Sequence, residues 1–165
     1  MKKRGFAILL AASTSLALPA LAQTPTVTVD HAWARATSAS QKVGGVFLTL
    51  TDTAAPDHLL SASSPIADEV QVHETIDDEG VMKMRPVPSL ALPTGMAVTL
   101  KPGGYHIMAV GLKQQLIPGN SFAMTLNFEK SAQVTVTVMV EAAGASAPMM
   151  DHSHMPGMMM PPTKP

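Results

Sequence analysis

Two histidines and two methionines, His73, Met84, His106 and Met108, stand in the spacing H-x10-M-x21-H-x-M. Two imidazoles and two thioethers make a soft donor set. Thioether sulfur selects Cu(I), whereas zinc, magnesium and calcium sites draw on cysteine thiolate or carboxylate oxygen. The spacing therefore points to monovalent copper. Taken singly, a methionine on a strand is ordinarily core filler and a histidine a satisfied polar group. The weight lies in the four together and in whether the chain can bring them to one place.

The elements that must do so are short strands. Residues 69–76 and 81–85 alternate as strands around Asp77-Asp78-Glu79-Gly80, a turn-rich tetrapeptide. Closing this hairpin with Ile76 opposite Val81 sets His73 opposite Met84, about 5 Å apart at Cβ on one face. The same register puts Met82 opposite Thr75, which makes Met84 the better ligand and Met82 its substitute. His106 and Met108 share a face of the strand 105–110 by the period of two. The Lys101-Pro102-Gly103-Gly104 turn just ahead places that pair near a strand end, where an ion has access.

A second soft cluster closes the chain. Residues 142–148 have linker composition, and they lead to Met149, Met150, His152, His154, Met155, Met158, Met159 and Met160 before a proline-rich end. Exposed methionine is a poor choice for a solvated tail without a ligand. The tract is expected to take additional copper, Cu(I) on the methionines and Cu(II) on the histidines.

The phrases GVMKMRPV and KPGGYHIMAVGLKQQL, with the spacing above, resemble the periplasmic copper chaperones of the PCu(A)C family over roughly residues 30–141. The resemblance implies that one Cu(I) is held by His73, Met84, His106 and Met108. It also implies a cupredoxin-like fold and delivery of copper by ligand exchange to an apo-protein. The recipient it suggests is the copper domain of a respiratory oxidase subunit, with a thioredoxin-like copper protein sharing the work.

The start of the chain reads as an export signal. Met1-Lys2-Lys3-Arg4 precedes an apolar run to Leu18 and then Ala20-Leu21-Ala22, so residues 1–22 are expected to be removed in the periplasm. Ser13, Thr14, Ser15 and Pro19 interrupt a span already short for a bilayer, which argues against a retained anchor. No cysteine follows to carry a lipid, so no membrane anchor is expected after cleavage. Cleavage leaves 143 of the 165 residues, enough for one copper-binding β domain over 23–141 and a flexible Met/His-rich tail over 142–165.

Loss of the three basic residues moves the formal charge from −1 to −4, which disfavours nucleic acid and anionic lipid as partners. The chain contains no cysteine. Stability therefore falls to the hydrophobic core without disulfides, and a blue-copper electron-transfer site, which needs a thiolate, is excluded. Thioethers form no disulfides in an oxidising compartment, so methionine ligation suits the periplasm.

Further strands are expected at 24–30 and, after a bend, 32–37, then at 43–51, 58–63, 96–100, 122–128 and 134–140. Val46, Leu48 and Leu50 should face one way. Trp33 and Met96 are expected in the core, His58 at the surface, and 110–116 as an irregular connection or one helical turn. Seven to nine short strands with regular turns and no sustained helical period indicate an all-β Greek-key sandwich or barrel.

The expected role is a copper-binding chaperone, not an enzyme. A copper-dependent redox enzyme would need an imidazole-rich site with an open position, and no second histidine cluster lies inside the domain. Periplasmic copper buffering or resistance is the alternative if the tail binds several ions. A metal-free adhesion module would leave the ligand spacing as coincidence.

Overall fold

Alternation of apolar and polar residues along each strand decides which side of the sheet becomes the core. A computed structural model describes residues 26–148. In it ten strands form one curled sheet: β1 Val27–Arg35, β2 Val43–Asp52, β3 Asp57–Ser63, β4 Glu69–Asp78, β5 Val81–Pro86, β6 Leu90–Leu92, β7 Ala97–Leu100, β8 Tyr105–Val110, β9 Ser121–Phe128 and β10 Val134–Glu141. The expected signal segment 1–22 and the Met/His tract from Met149 lie outside the described residues. Among the described residues there is no helix. The protein is all-β, as the patterning implies.

The sheet path runs β5-β4-β8-β2-β1-β10-β9-β3-β6, and β7 pairs with β2. One edge of β2 carries β1, while the other is shared between β8 at residues 43–46 and β7 at 48–51. The first and last strands, β1 and β10, meet in a parallel ladder, and β9 and β10 form the closing antiparallel pair. Such non-sequential neighbours are the signature of Greek-key connectivity.

The inner face buries Val46, Leu48 and Leu50 of β2 with Leu59, Leu100, Ile107, Met124, Leu126 and Val138, each exposed by 1 % or less. Burying one such side chain contributes about 1.5–3 kcal/mol, so this layer supplies the stability that disulfides do not.

A bulge in β1 changes what that strand shows to each side. The β1–β2 register shifts between Asp30 and Trp33, and His31 takes a left-handed φ of 52°. Before the bulge Val29 pairs with Leu50, and after it Ala34 pairs with Val46 on the inner face. One added residue reverses the phase of alternation. Trp33 is buried as expected, but outside the main core cluster, against Phe47 at a ring separation of 4.6 Å. Arg35 lies over that Phe47 ring and donates from Nε to the carbonyl of Ala145 at 2.8 Å. This bond reaches just beyond β10, where Ala142, Ala143, Gly144, Ser146 and Ala147 are exposed.

Asp57 ties the opposite end together. Its carboxylate accepts from the backbone N–H groups of His58, Lys130 and Ser131 at 2.7, 3.0 and 2.8 Å, joining the start of β3 to the segment between β9 and β10. Burial would raise this carboxyl, but the Ser131 side chain and those three amides outweigh it and hold the pKa at about 2.

Met96 is 62 % exposed, which corrects its expected place in the core. It sits in the turn before β7, where the strand alternation has not begun. β6, at only three residues, carries too little pattern to be read from the sequence.

Candidate metal centre

The β4–β5 hairpin closes tighter than its turn composition implies. Asp78 pairs with Val81, leaving Glu79 and Gly80 as the turn, with φ of 54° and 84°. Two successive positive φ values define the primed turn whose twist matches a hairpin, and glycine accepts this conformation at no steric cost. The tighter turn shifts the register by two: His73 lies opposite Pro86, Thr75 opposite Met84 and Asp77 opposite Met82. The expected pairing of His73 with Met84, and of Met82 with Thr75, is therefore corrected. A shift of two preserves the face, so Met84 remains on the side of His73 as a diagonal neighbour.

The partner that does stand opposite His73 is His106. In the β4–β8 ladder His73 pairs with His106 and Gln71 with Met108. The imidazole centroids are 5.9 Å apart at 44°. Sequence spacing brings His106 and Met108 together but gives no sign of this cross-strand histidine pair, because β4 and β8 are joined by a long excursion through β5, β6 and β7.

Hydrogen bonding settles which nitrogen of each ring is available. His106 Nδ1 lies 3.0 Å from the carbonyl of Gly104, which can only accept, so Nδ1 carries the proton. His73 Nε2 lies 2.7 Å from Gln71 Oε1, while Gln71 Nε2 donates to Glu69 Oε1 at 2.6 Å. That amide orientation makes Gln71 the acceptor and puts the proton on His73 Nε2. His73 Nδ1 and His106 Nε2 are left as lone-pair nitrogens, both buried and both without a hydrogen-bond partner. A buried polar atom without a partner costs about 1–3 kcal/mol, so two beside each other call for a ligand. Fixing one ring nitrogen by a carbonyl or amide so that the other is free is the usual support of a metal-binding histidine.

The electrostatics favour a neutral His73 ring. Burial, and then the neighbouring His106, pushes the His73 pKa below its ordinary value, so its lone pair is available at neutral pH. Met84, His106 and Met108 line one cleft of about 410 Å³ with Thr75, Arg35 and Phe47. Gly45, the strand partner of Met108, also lines it. A Cβ there would come within 3.2 Å of the Phe47 ring, so glycine keeps the cleft open under the thioether. Met84 is 61 % exposed on the edge strand and Met108 is half-buried, so both thioethers are accessible from solvent. Among the described residues no three histidine, cysteine, aspartate or glutamate side chains converge to hold a metal. A set completed by thioether sulfur suits a soft monovalent ion better than a hard cation.

His58, expected at the surface, bonds Glu129 at 2.7 Å at the far end of the sheet and takes no part in this cleft. The supporting roles of Gln71, Glu69 and the Gly104 carbonyl are additions to the sequence reading. Gln71 carried one signal, its place two residues before His73 on the same strand face.

Comparison with known proteins follows the same geometry. The family described as "Putative lipoprotein LpqE-like" matches residues 27–140, which takes in all ten strands but the last residue. "Putative lipoprotein Lxx21020" from Leifsonia xyli subsp. xyli is 36 % identical over 132 residues, covering 75 % of this chain and 78 % of its own. Among solved structures, "Copper-bound PCuAC domain from PmoF2" superposes with a TM-score of 0.62 at 28 % identity, covering 72 % of this chain and 95 % of that one. The Cu(I) form of DR1885 from Deinococcus radiodurans gives 0.57 at 28 % identity over 77 % of this chain and 81 % of that one. Fold and comparisons together define a PCuAC-type β domain. The chain belongs to the LpqE-like family.

Proposed function

We propose that this protein is an exported Cu(I) chaperone that holds one ion between His73 Nδ1, His106 Nε2, Met84 and Met108 and passes it on by ligand exchange. The observation that carries this reading is the pair of buried lone-pair nitrogens on neighbouring rings, each ring held by a hydrogen bond at its other nitrogen, on the sheet face that also carries Met84 and Met108. The copper bound by two structurally similar proteins, the PCuAC domain from PmoF2 and DR1885, supports the same ion. The role is binding and transfer, without chemistry on a substrate.

The finer parts of the proposal follow from the ligands. Four neutral donors offer no thiolate, so a dithiolate acceptor such as an oxidase copper domain or a thioredoxin-like copper protein draws the ion away. The basic and apolar leader and the lipoprotein name of a relative support a location outside the cytoplasm, proposed here as the periplasm. The Met/His tract, with Met149, Met150, His152, His154, Met155, Met158, Met159 and Met160, is proposed to gather further copper.

The test is titration of the reduced protein with Cu(I) against a competing chelator, alongside His106→Ala. One tight equivalent that is lost in His106→Ala supports the proposal. Equal affinity in the two proteins would overturn the site.

A further inference from the structure

The corrected hairpin register leaves a second thioether on the same face as the candidate ligands. Met82 and Met84 are two residues apart on β5 and project to one side, opposite Asp77 and Thr75, in line with His73. Met82 stands about 7 Å beyond Met84, two residues along a strand and further from the imidazole pair.

Nothing about the packing of Met82 explains it. β5 ends the sheet, bonded only to β4, and every one of its residues is exposed. Met82 itself is 60 % exposed. The cations of this strand lie on the opposite side of the hairpin, where Lys83 pairs with Asp78 and Arg85 with Glu74. On the thioether side Asp77 is engaged by the N–H of Gly80. The face leading out from Met84 is therefore sulfur and small polar atoms, open to solvent along an unpaired edge. His106, by contrast, is only 5 % exposed, so an incoming acceptor does not reach the nitrogen pair directly.

We propose that Met82 is a transit ligand, which takes Cu(I) from Met84 as the ion enters or leaves and presents it at the free edge of β5. This rests on the Cu(I) reading above. The step exchanges neutral donors: a copper–sulfur bond to Met82 forms as the bond to Met84 breaks, the bonds to His73, His106 and Met108 break as the ion moves outward, and the acceptor's own donors take their place at the edge. Copper stays monovalent, and no proton or electron moves. Methionine suits the task because its unbranched side chain sweeps a wide arc and its sulfur is a soft donor.

A transit ligand has a kinetic signature that a resident ligand lacks. It lowers the barrier in both directions and leaves the end states alone, so its removal slows loading and release equally. Loss of a resident ligand weakens the bound state, and release becomes faster.

The experiment uses the full chain with one equivalent of Cu(I). Equilibrium affinity is measured by chelator competition. Release is followed by stopped flow into excess bathocuproine disulfonate, and loading from a weak Cu(I) complex. Met82→Leu keeps the apolar bulk without sulfur, and Met82→Thr repeats the test with a strand-favouring residue. The expected result is that both rates fall on the order of tenfold while Kd stays within about threefold, whereas Met84→Leu weakens Kd and speeds release. Unchanged rates in both Met82 variants would overturn the proposal. So would weaker binding with faster release, which would make Met82 a resident ligand. If the wild-type chain binds no Cu(I), the function reading falls and this inference with it. If it binds Cu(I) and the variants exchange it at the same rates, the inference falls alone.

Discussion

Replacing Gln71 by leucine probes the site through a residue that touches no metal. Gln71 Oε1 accepts the proton of His73 Nε2 at 2.7 Å and is itself oriented by Glu69 at 2.6 Å. Without it the His73 ring is free to carry its proton on Nδ1, the buried nitrogen proposed to hold the ion, and to rotate out of place. Loss of such a support behind a metal-binding histidine costs 10- to 100-fold in affinity, about 1.4–2.7 kcal/mol at 1.36 kcal/mol per decade. Gln71 is only half-buried and leucine suits a strand face, so the fold should persist. Chelator competition gives the affinity, and imidazole nitrogen shifts in the apo protein give the tautomer. Gln71→Leu should weaken Cu(I) binding by that factor and mix the His73 tautomers, with thermal stability little changed. Unaltered affinity with a mixed tautomer would refute the argument that the Gln71 bond prepares His73 for the ion.

Three further outcomes follow. Asp57, held at about 2 against an ordinary 3.8, contributes about 2 kcal/mol that is fully present above pH 4 and lost as pH falls through 2. Denaturant unfolding of Asp57→Asn should show that loss at pH 7 and little difference from wild type near pH 2. His73 is lowered on folding as well: its folded pKa lies below its ordinary 6.5, so as pH falls the unfolded chain takes up the proton first and apo stability declines. Copper affinity should decline over the same range, because both imidazoles must be neutral to bind, and a Cu(I) titration from pH 7.5 to 5 reads this directly. Deleting residues 149–160 should remove copper binding beyond the first equivalent, Cu(II) above all, and leave the unfolding transition in place. Equal stoichiometry in the truncated and full chains would make the tract a bystander.

The fold was legible because its strands alternate cleanly. Val46, Leu48 and Leu50 face inward as their spacing demands, and 122–128 with 134–140 form the expected closing pair. What escaped depended on single-residue backbone choices. The bend expected between residues 30 and 32 is there as the bulge at His31, but that it adds one residue and so turns Trp33 away from the main core is marked by no local pattern. In the hairpin, Asp77-Asp78-Glu79-Gly80 reads as a four-residue turn, yet Asp77 and Asp78 remain on the strand and only Glu79-Gly80 turns. The composition was right and the register was off by two. The four candidate ligands nevertheless share a face, because an even shift leaves side-chain direction intact. Opposition of His73 to His106 is a long-range pairing of β4 with β8, and spacing along the chain carries no record of it.

Copper-edge X-ray absorption of the reduced protein at one equivalent tests the central claim most directly, because it counts nitrogen and sulfur around the ion. The arrangement of His73, His106, Met84 and Met108 predicts a mixed shell of two nitrogens and two sulfurs. It also predicts that one sulfur is lost in Met84→Leu and one in Met108→Leu. A shell of nitrogen and oxygen alone, or a sulfur count unchanged in both variants, would contradict it.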